Sequence, residues 1–321
     1  MAQGGRLGSD LVTIFGGSGF AGRHTVSAVA KRGWRVRAAV RRPDLAGHLQ
    51  PMGSVGQVHA VQSNLRYPKS IADAVAGATA VVNAVGILAP AGRQSFDAVH
   101  AGGARAVARA AREAGVKRFV HISAIGADTA SAARYAQSKA AGEAAVLEEF
   151  PTAIILRPSI VFGPEDEFFN RFAALARMSP FLPSIGLGLT RFQPVYVGDV
   201  AEAFLKASFK GEAQGKTYEI GGPSIYTFKE LMEYLLKIIH RQRILLPIPF
   251  SLAKAIAFFT QFLPSPPLTP DQVELLKQDN VISSHALKAE ELGVYPKALE
   301  ALAPLYLGRY CPGGRITIDQ N

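Results

Sequence analysis

Cysteine is almost absent. Cys311 is the one cysteine in 321 residues, so no disulfide framework and no cysteine-based metal cluster can form within the chain. This suits a reducing compartment. The opening M-A-Q-G-G-R-L-G-S-D has no apolar h-region and no long Arg/Ser-rich amphipathic stretch. Neither a signal peptide nor a transit peptide is legible, and a cytosolic, bacterial protein is expected. Cations interleaved with aromatics are missing, as are helix-turn-helix, zinc-finger and RNA-reading signatures, so no nucleic-acid partner is expected. Acidic residues are in deficit, 25 against 35 basic, for a net charge of +10. That excess calls for an anionic partner: a phosphorylated cofactor, an acidic protein face or anionic lipid headgroups. One stripe, Arg105, Arg109 and Arg112 at i, i+4, i+7, reads as a solvated helix face.

From Leu11 to about Pro158 short apolar runs alternate with helical patterns. The candidate strands are L-V-T-I-F, R-V-R-A-A-V, Q-V-H-A-V, A-V-V-N-A-V, R-F-V-H-I-S and T-A-I-I-L-R. Between them lie segments with three-to-four-residue apolar spacing, such as the one from Ser95 that ends on a C-cap glycine at Gly115. The alternation predicts an α/β fold, a doubly wound parallel Rossmann sheet over residues 1–162. Beyond it, residues 163–321 are richer in Pro, Phe and Leu and are expected to form a smaller C-terminal α/β lobe interleaved with the first domain. That lobe includes a helix capped by Asp199 and a helix with Thr227 and Glu230 as a capping box. The tail from Cys311 to Asn321 is expected to be mobile.

The loop F-G-G-S-G-F-A-G sets Gly16, Gly19 and Gly22 three apart, between a strand and a helix. Glycine is required where the turn needs φ values closed to other residues, where backbone approaches a pyrophosphate, and where helix and strand pack tightly. Ser18, Phe20 and Arg23 belong to the same cofactor-binding loop. At the end of the second strand, where an acidic side chain would hydrogen-bond an adenosine ribose, stand Arg41 and Arg42. A guanidinium there can take a 2′-phosphate through charge-assisted bonds, which predicts NADPH (NADP) as cofactor, with Arg23 adding to the pocket and Arg42 turned to solvent if only one arginine counts. Asn64 and Leu65 follow the third strand where adenine is expected. Ala84, Val85 and Gly86 close the fourth, where small residues let a cofactor cross the sheet edge; ordinary strand-end turns would look the same.

Y-A-Q-S-K places Tyr135 and Lys139 on one face of a helix start. An ammonium in that position could depress the phenol's pKa and make it a proton donor near neutral pH. With these motifs the chain resembles the extended short-chain dehydrogenase/reductase superfamily, the NAD-dependent epimerase/dehydratase-like proteins, over about Leu11 to Tyr310. The resemblance runs through G-G-S-G-F-A-G, Y-A-Q-S-K, R-P-S-I-V-F-G-P and Q-P-V-Y-V-G-D-V-A-E-A. It implies a cofactor lining that also takes in Ile122, Pro158 and Ile160, and a catalytic serine or threonine at the end of the fifth strand beside Tyr135 and Lys139. Here Ser123 is followed by Ala124 and Ile125 where that hydroxyl would align, and Ile160 replaces an asparagine common in the family. Without a hydroxyl to polarise a carbonyl, transition-state stabilisation is incomplete.

Within the superfamily the chain is similar to an atypical branch, the NADPH-binding accessory subunit of respiratory complex I, NADH:ubiquinone oxidoreductase. The stretches that carry this are S-A-A-R-Y-A-Q-S-K-A-A-G-E, R-P-S-I-V-F-G-P-E-D-E-F-F-N-R-F-A and L-L-P-I-P-F. The branch implies a tightly held NADPH remote from electron flow, and docking on peripheral-arm subunits near the membrane and the quinone site. The expected place is the cytoplasmic face of a bacterial inner membrane. Residues 244–264 are the most apolar segment, but prolines limit a helix to about 250–263, too short to span a bilayer that needs roughly twenty residues. Ser251, Lys254 and Gln261 fall near one side and Leu252, Ile256, Phe259 and Leu263 near another. The segment suits a membrane interface, a partner's groove or the lobe's own core. Three functions follow: a non-catalytic accessory subunit, a catalytic NADP-dependent reductase, epimerase or dehydratase in which a one-residue shift brings Ser123 into place, or an NADP(H) redox sensor. No metal site is expected.

Overall fold

The computed structural model describes residues 10–261 and 268–314. The tail beyond 314 and the end of the expected apolar helix, residues 262 and 263, lie outside the described residues. Strands β1 (Leu11–Phe15), β2 (Arg35–Val40), β3 (Val58–Gln62), β4 (Ala80–Asn83), β5 (Arg118–Ile122) and β6 (Ile154–Pro158) pair in parallel in the order 3-2-1-4-5-6. Two further parallel strands, Thr217–Ile220 and Leu287–Lys288, extend the sheet beyond β6 to eight. The reversal of strand order between β1 and β4 is the place where such sheets open a crevice at their carboxyl ends.

Helices α1 (Phe20–Lys31), α2 (Pro68–Val75), α3 (Ala104–Glu113) and α4 (Arg134–Glu149) link these strands. The apolar sides of α2, α3 and α4 bury Ile71, Val75, Val107 and Val146 with Phe15, Phe119 and Ile155 of the sheet. On the other side α1 packs with the helix Val197–Phe209, where the rings of Trp34 and Phe209 meet at 3.7 Å. Asp199, expected as the cap of that helix, lies inside its first turn. Gly115 ends the α3 segment as expected, with φ +67°. The arginine stripe lies on an exposed helix face, as expected, and is also paired with α4. Arg109 and Arg112 close on the Glu149 carboxylate of α4 at 2.6 and 2.9 Å, Arg105 pairs with Glu148 at 2.7 Å, and Arg112 also donates to the Glu149 carbonyl.

The chain divides into two compact units. The first holds residues 1–158, 197–220 and 284–295 and contains the whole eight-stranded sheet. The second holds residues 159–196, 221–283 and 296–321. In its core Phe162, Phe169, Phe192 and Phe228 pack with Leu231, Leu235 and Leu299. Thr227 and Glu230 form the expected capping box on the helix Phe228–Ile238. Asp166, from the acidic run E-D-E-F-F-N-R-F-A, is buried. It accepts from the backbone of Phe168 and Asn170 at 2.9 and 3.2 Å and from the Tyr306 hydroxyl at 2.6 Å. Desolvation raises its pKa above the ordinary carboxylate value.

Candidate functional site

The glycine loop is built as its sequence requires. Gly16 takes φ +74°, donates to the Ala39 carbonyl at 3.0 Å and accepts from Gly19 N–H at 2.9 Å. A Cβ on Gly22 would stand 2.0 Å from the Gly16 carbonyl oxygen, and one on Gly16 would stand 3.1 Å from that of Ala84. Helix α1 then starts at Phe20 with no side-chain cap and no acidic residue in its first turn. Its first N–H groups and the positive end of its dipole are thus left for an anion. Loop and helix end together fit a diphosphate. Phe20 meets the His24 ring edge-on, and Arg23 folds back to donate to the Ser18 carbonyl at 2.9 Å.

Beyond β2 the two arginines differ. Arg42 clamps Asp44 through Nε at 3.0 Å and Nη2 at 2.6 Å, whereas exposed Arg41 has no ion pair among the described residues. Beside them Ser63, whose N–H donates to the Val40 carbonyl, keeps a buried hydroxyl with no hydrogen-bond partner among the described residues. It was not foreseen from sequence, though it stands next to Asn64. The Asn64 carboxamide oxygen accepts from Arg66 N–H in a local turn, which leaves only its NH2 to reach a base. Leu65 packs against the core of the first unit, close to Gly103.

At the end of β4, Ala84 N–H bonds to the Phe15 carbonyl, and Val85 N–H donates to buried Asn83 Oδ1 at 3.3 Å. Gly86 is exposed, and a Cβ there would lie 3.3 Å from Lys139 Nζ and 3.7 Å from His100 Nε2. Lys139 is buried, donates weakly to the Ile122 carbonyl at 3.4 Å and lies 5.8 Å from the centroid of the Tyr135 ring. Desolvation lowers this lysine to about 8, against the pull of Glu143. Glu143 in turn grips Arg157 of β6 at 2.8 and 2.6 Å. Tyr135 does not show the depressed pKa expected of it: desolvation pushes the phenol up to about 12, and the ammonium does not offset this.

Ser123 is buried and its hydroxyl has no hydrogen-bond partner among the described residues. Its N–H donates to the Leu156 carbonyl at 2.7 Å and Ile125 N–H to that of Pro158 at 3.0 Å, which ties the end of β5 to β6. Ile125, itself buried, stands two residues beyond the serine. Tyr135, Lys139, Gly86 and Ile122 are thus gathered in the first unit. Ile160 belongs to the second unit and gives its N–H to Asn280 Oδ1.

Two buried histidines were not foreseen. His121 takes Asn83 Nδ2 at 3.2 Å, and His100 meets Ser138 at 2.8 Å. In both pairs the partners are 38 residues apart, a separation no local pattern reveals. Burial, with Lys139 adding, holds both rings down at about 3. Among the described residues no group of three or more His, Cys, Asp or Glu is arranged to hold a metal.

In the second unit the apolar helix spans Phe250–Thr260 and turns its small side inward. Ala253 and Ala257 are buried against Ile185 and Val273, while Leu252 is 51% exposed, Phe258 56% and Phe259 76%. Leu252, Phe258 and Phe259 therefore lie outside the lobe's own core, while Phe250 packs against it. No helix among the described residues is long and apolar enough to cross a membrane.

The profile described as "NAD dependent epimerase/dehydratase family" matches residues 12–221. Full-length similarity extends to "NADH dehydrogenase (ubiquinone) 1 alpha subcomplex subunit 9, mitochondrial". The Arabidopsis thaliana protein is 37% identical over 316 residues, 95% of this chain and 79% of the relative. The Mus musculus protein is 36% identical over 304 residues, 93% and 80% of the two chains. A "Ceramide reductase" of Caulobacter vibrioides is 35% identical over 225 residues, 69% of this chain and 68% of the relative. Among solved structures, a triphenylmethane reductase from Citrobacter sp. superposes with a TM-score of 0.72 at 19% identity, over 92% of this chain and 99% of the other. "MoeE5 in complex with UDP-glucose and NAD" gives 0.69 at 16% identity, over 93% and 97%. Both structural likenesses bear on the fold alone.

Proposed function

This chain belongs to the NAD dependent epimerase/dehydratase family, and we propose that it is an NADP(H)-binding accessory subunit of a membrane-bound NADH:quinone oxidoreductase that holds its dinucleotide without turning it over. The observation that carries this reading is a site with a complete cradle and an incomplete catalyst. The glycine loop, Gly86 and the Tyr135–Lys139 pair lie together in the first unit, while by the family resemblance Ala124 and Ile125 fall where the catalytic hydroxyl would align, and Ser123 is buried. Similarity along nearly the whole chain to proteins named as NADH dehydrogenase subunits supports the partner.

A bound dinucleotide would be an electron carrier in principle; the residues here bind and orient it. Gly16, Gly19 and Gly22 bring backbone to the diphosphate, and Arg41 with the hydroxyl of Ser63 faces the adenosine side. Tyr135 and Lys139 hold the nicotinamide ribose. With the phenol pushed up to about 12 by desolvation, and with Ala124 and Ile125 where the resemblance would align the catalytic hydroxyl, proton delivery to a carbonyl lacks both a matched donor and an oxyanion partner. In this reading the subunit docks peripherally on the oxidoreductase near its quinone site, at the cytoplasmic face of a bacterial inner membrane, with the exposed side of Phe250–Thr260 towards anionic lipid or a partner subunit.

Affinity capture of the intact protein from detergent-solubilised membranes, with extraction of bound nucleotide, tests this. The expected result is recovery of NADH:quinone oxidoreductase subunits together with NADPH; a free monomer would overturn it. Replacing both Phe258 and Phe259 by serine removes exposed apolar area without touching the buried alanines. We expect retention in the membrane fraction to fall at least about thirtyfold, since burying even one such ring is worth about 2 kcal/mol, while the melting temperature stays unchanged.

The second reading is a catalytic NADP-dependent reductase, epimerase or dehydratase, favoured by the intact Tyr135–Lys139 pair and by the relative named ceramide reductase. Steady NADPH consumption with a keto-lipid, abolished by Tyr135→Phe, would establish it.

A further inference from the structure

We propose that His100 is a positioning residue of the dinucleotide site: through one directional chain of hydrogen bonds it fixes the loop after β4 against the first turn of α4. The inference rests on the reading of this site as dinucleotide-binding. His100 lies in Asp97–Gly103, a π-helical stretch that leads into α3. Such single-turn π insertions displace side chains from the ordinary helical register and often mark functional positions. Here the displaced side chain enters the space between two walls of the site.

The direction of each bond follows from its partners. Ser138 Oγ stands 2.7 Å from the Tyr135 carbonyl, which can only accept, so the hydroxyl donates there. Having spent its proton, the hydroxyl accepts from His100 Nδ1–H at 2.8 Å. Nε2 then carries no proton and accepts the Ile87 N–H at 3.0 Å. All three links agree on one state of the ring, neutral with the proton on Nδ1. The ring plane is held by Phe96, stacked at 5.5 Å, and by the edge contact with Tyr135 at 5.6 Å. Helix α4 is drawn close enough that a Cβ on Gly142 would lie 2.3 Å from the His100 carbonyl oxygen.

The same reasoning gives His121 the opposite tautomer. Asn83 Oδ1 accepts from Val85 N–H, so its NH2 faces His121 and donates to Nδ1, which places that ring's proton on Nε2. Two neutral histidines of opposite tautomer thus hold the Val85–Ile87 loop, one from β5 and one from the π turn. His100 also meets the Tyr135 ring. A Cβ on Gly86 would stand 3.3 Å from Lys139 Nζ, so the loop after β4 and the Tyr135–Lys139 pair are close neighbours, and His100 fixes how they lie against each other. Protonating His100 would break the Ile87 bond and add a second cation near Lys139, in line with its lowered pKa.

Three measurements on the full chain test this. Nitrogen-15 NMR of the imidazoles should find His100 in the Nδ1–H form and His121 in the Nε2–H form, both unchanged between pH 8 and 5; an Nε2–H or titrating His100 overturns the proposal. His100→Phe keeps the ring packing and removes both bonds, and NADPH affinity should fall roughly tenfold or more. His100→Gln, which can both accept and donate, should recover most of that loss. Equal affinity in wild type and His100→Phe overturns the proposal, as does a Gln variant no better than Phe at equal melting temperature. If His100→Phe does not fold, the NMR tautomers decide. Wild-type protein that binds neither NADPH nor NADH defeats the site reading itself, while the tautomer result still stands or falls separately.

Discussion

Gly22→Val is expected to abolish dinucleotide binding, with an affinity loss of at least about a hundredfold, and to destabilise the first unit by roughly 1–3 kcal/mol, the usual cost of forcing bulk into a packed site. The reason is geometric. A Cβ on Gly22 would lie 2.0 Å from the Gly16 carbonyl oxygen and 2.9 Å from Gly17 Cα. Both obstacles are backbone, so no rotamer change relieves the overlap. Either the loop opens or α1 slides away from it, and in both cases the first N–H groups of α1 lose their aim at the diphosphate. Fluorescence titration with NADPH and a thermal melt measure the two effects together. Affinity within about threefold of wild type would mean that the loop is a structural turn with no ligand.

Arg41→Asp is expected to remove the preference for NADP(H) over NAD(H), shifting the ratio of the two affinities by roughly 10- to 100-fold, the worth of a charge-assisted bond lost and a like charge gained. The structure narrows this prediction to one arginine. Arg42 already has both Nε and Nη2 on Asp44, while Arg41 is exposed and carries no ion pair among the described residues. Arg42→Ala should accordingly change the ratio far less than Arg41→Asp. Isothermal titration with both dinucleotides at fixed ionic strength reads the difference, since charged contacts weaken with salt. An unchanged preference in Arg41→Asp would refute the assignment.

Much of the first unit is legible because strands of a parallel sheet, covered on both faces, read as unbroken apolar runs. L-V-T-I-F and R-F-V-H-I-S are recognisable on that ground alone. Thr217–Ile220 and Leu287–Lys288 are not, for they are short and join the sheet from segments far along the chain. The cradle could be read from glycine spacing because backbone geometry dictates it locally. The histidines could not: Asn83–His121 and His100–Ser138 are tertiary pairs within a polar network, invisible to periodicity. The tyrosine's acidity was misjudged for a related reason. Spacing puts Lys139 on the face of Tyr135, but the cost of desolvation outweighs the ammonium's effect. In the apolar helix, sequence shows two sides but not which faces inward. Ala253 and Ala257 allow close approach, and Leu252, Phe258 and Phe259 are left outside.

The claim at the centre of this account is that the dinucleotide is held and not turned over. The direct measurement is the redox state of the bound cofactor in the purified oxidoreductase during steady turnover with NADH and quinone, followed by nucleotide fluorescence and by extraction at intervals. The account predicts bound NADPH that stays reduced and does not exchange while NADH is consumed. Oxidation of that NADPH at a rate that keeps pace with a carbonyl or quinone substrate, and that is lost in Tyr135→Phe, would contradict it.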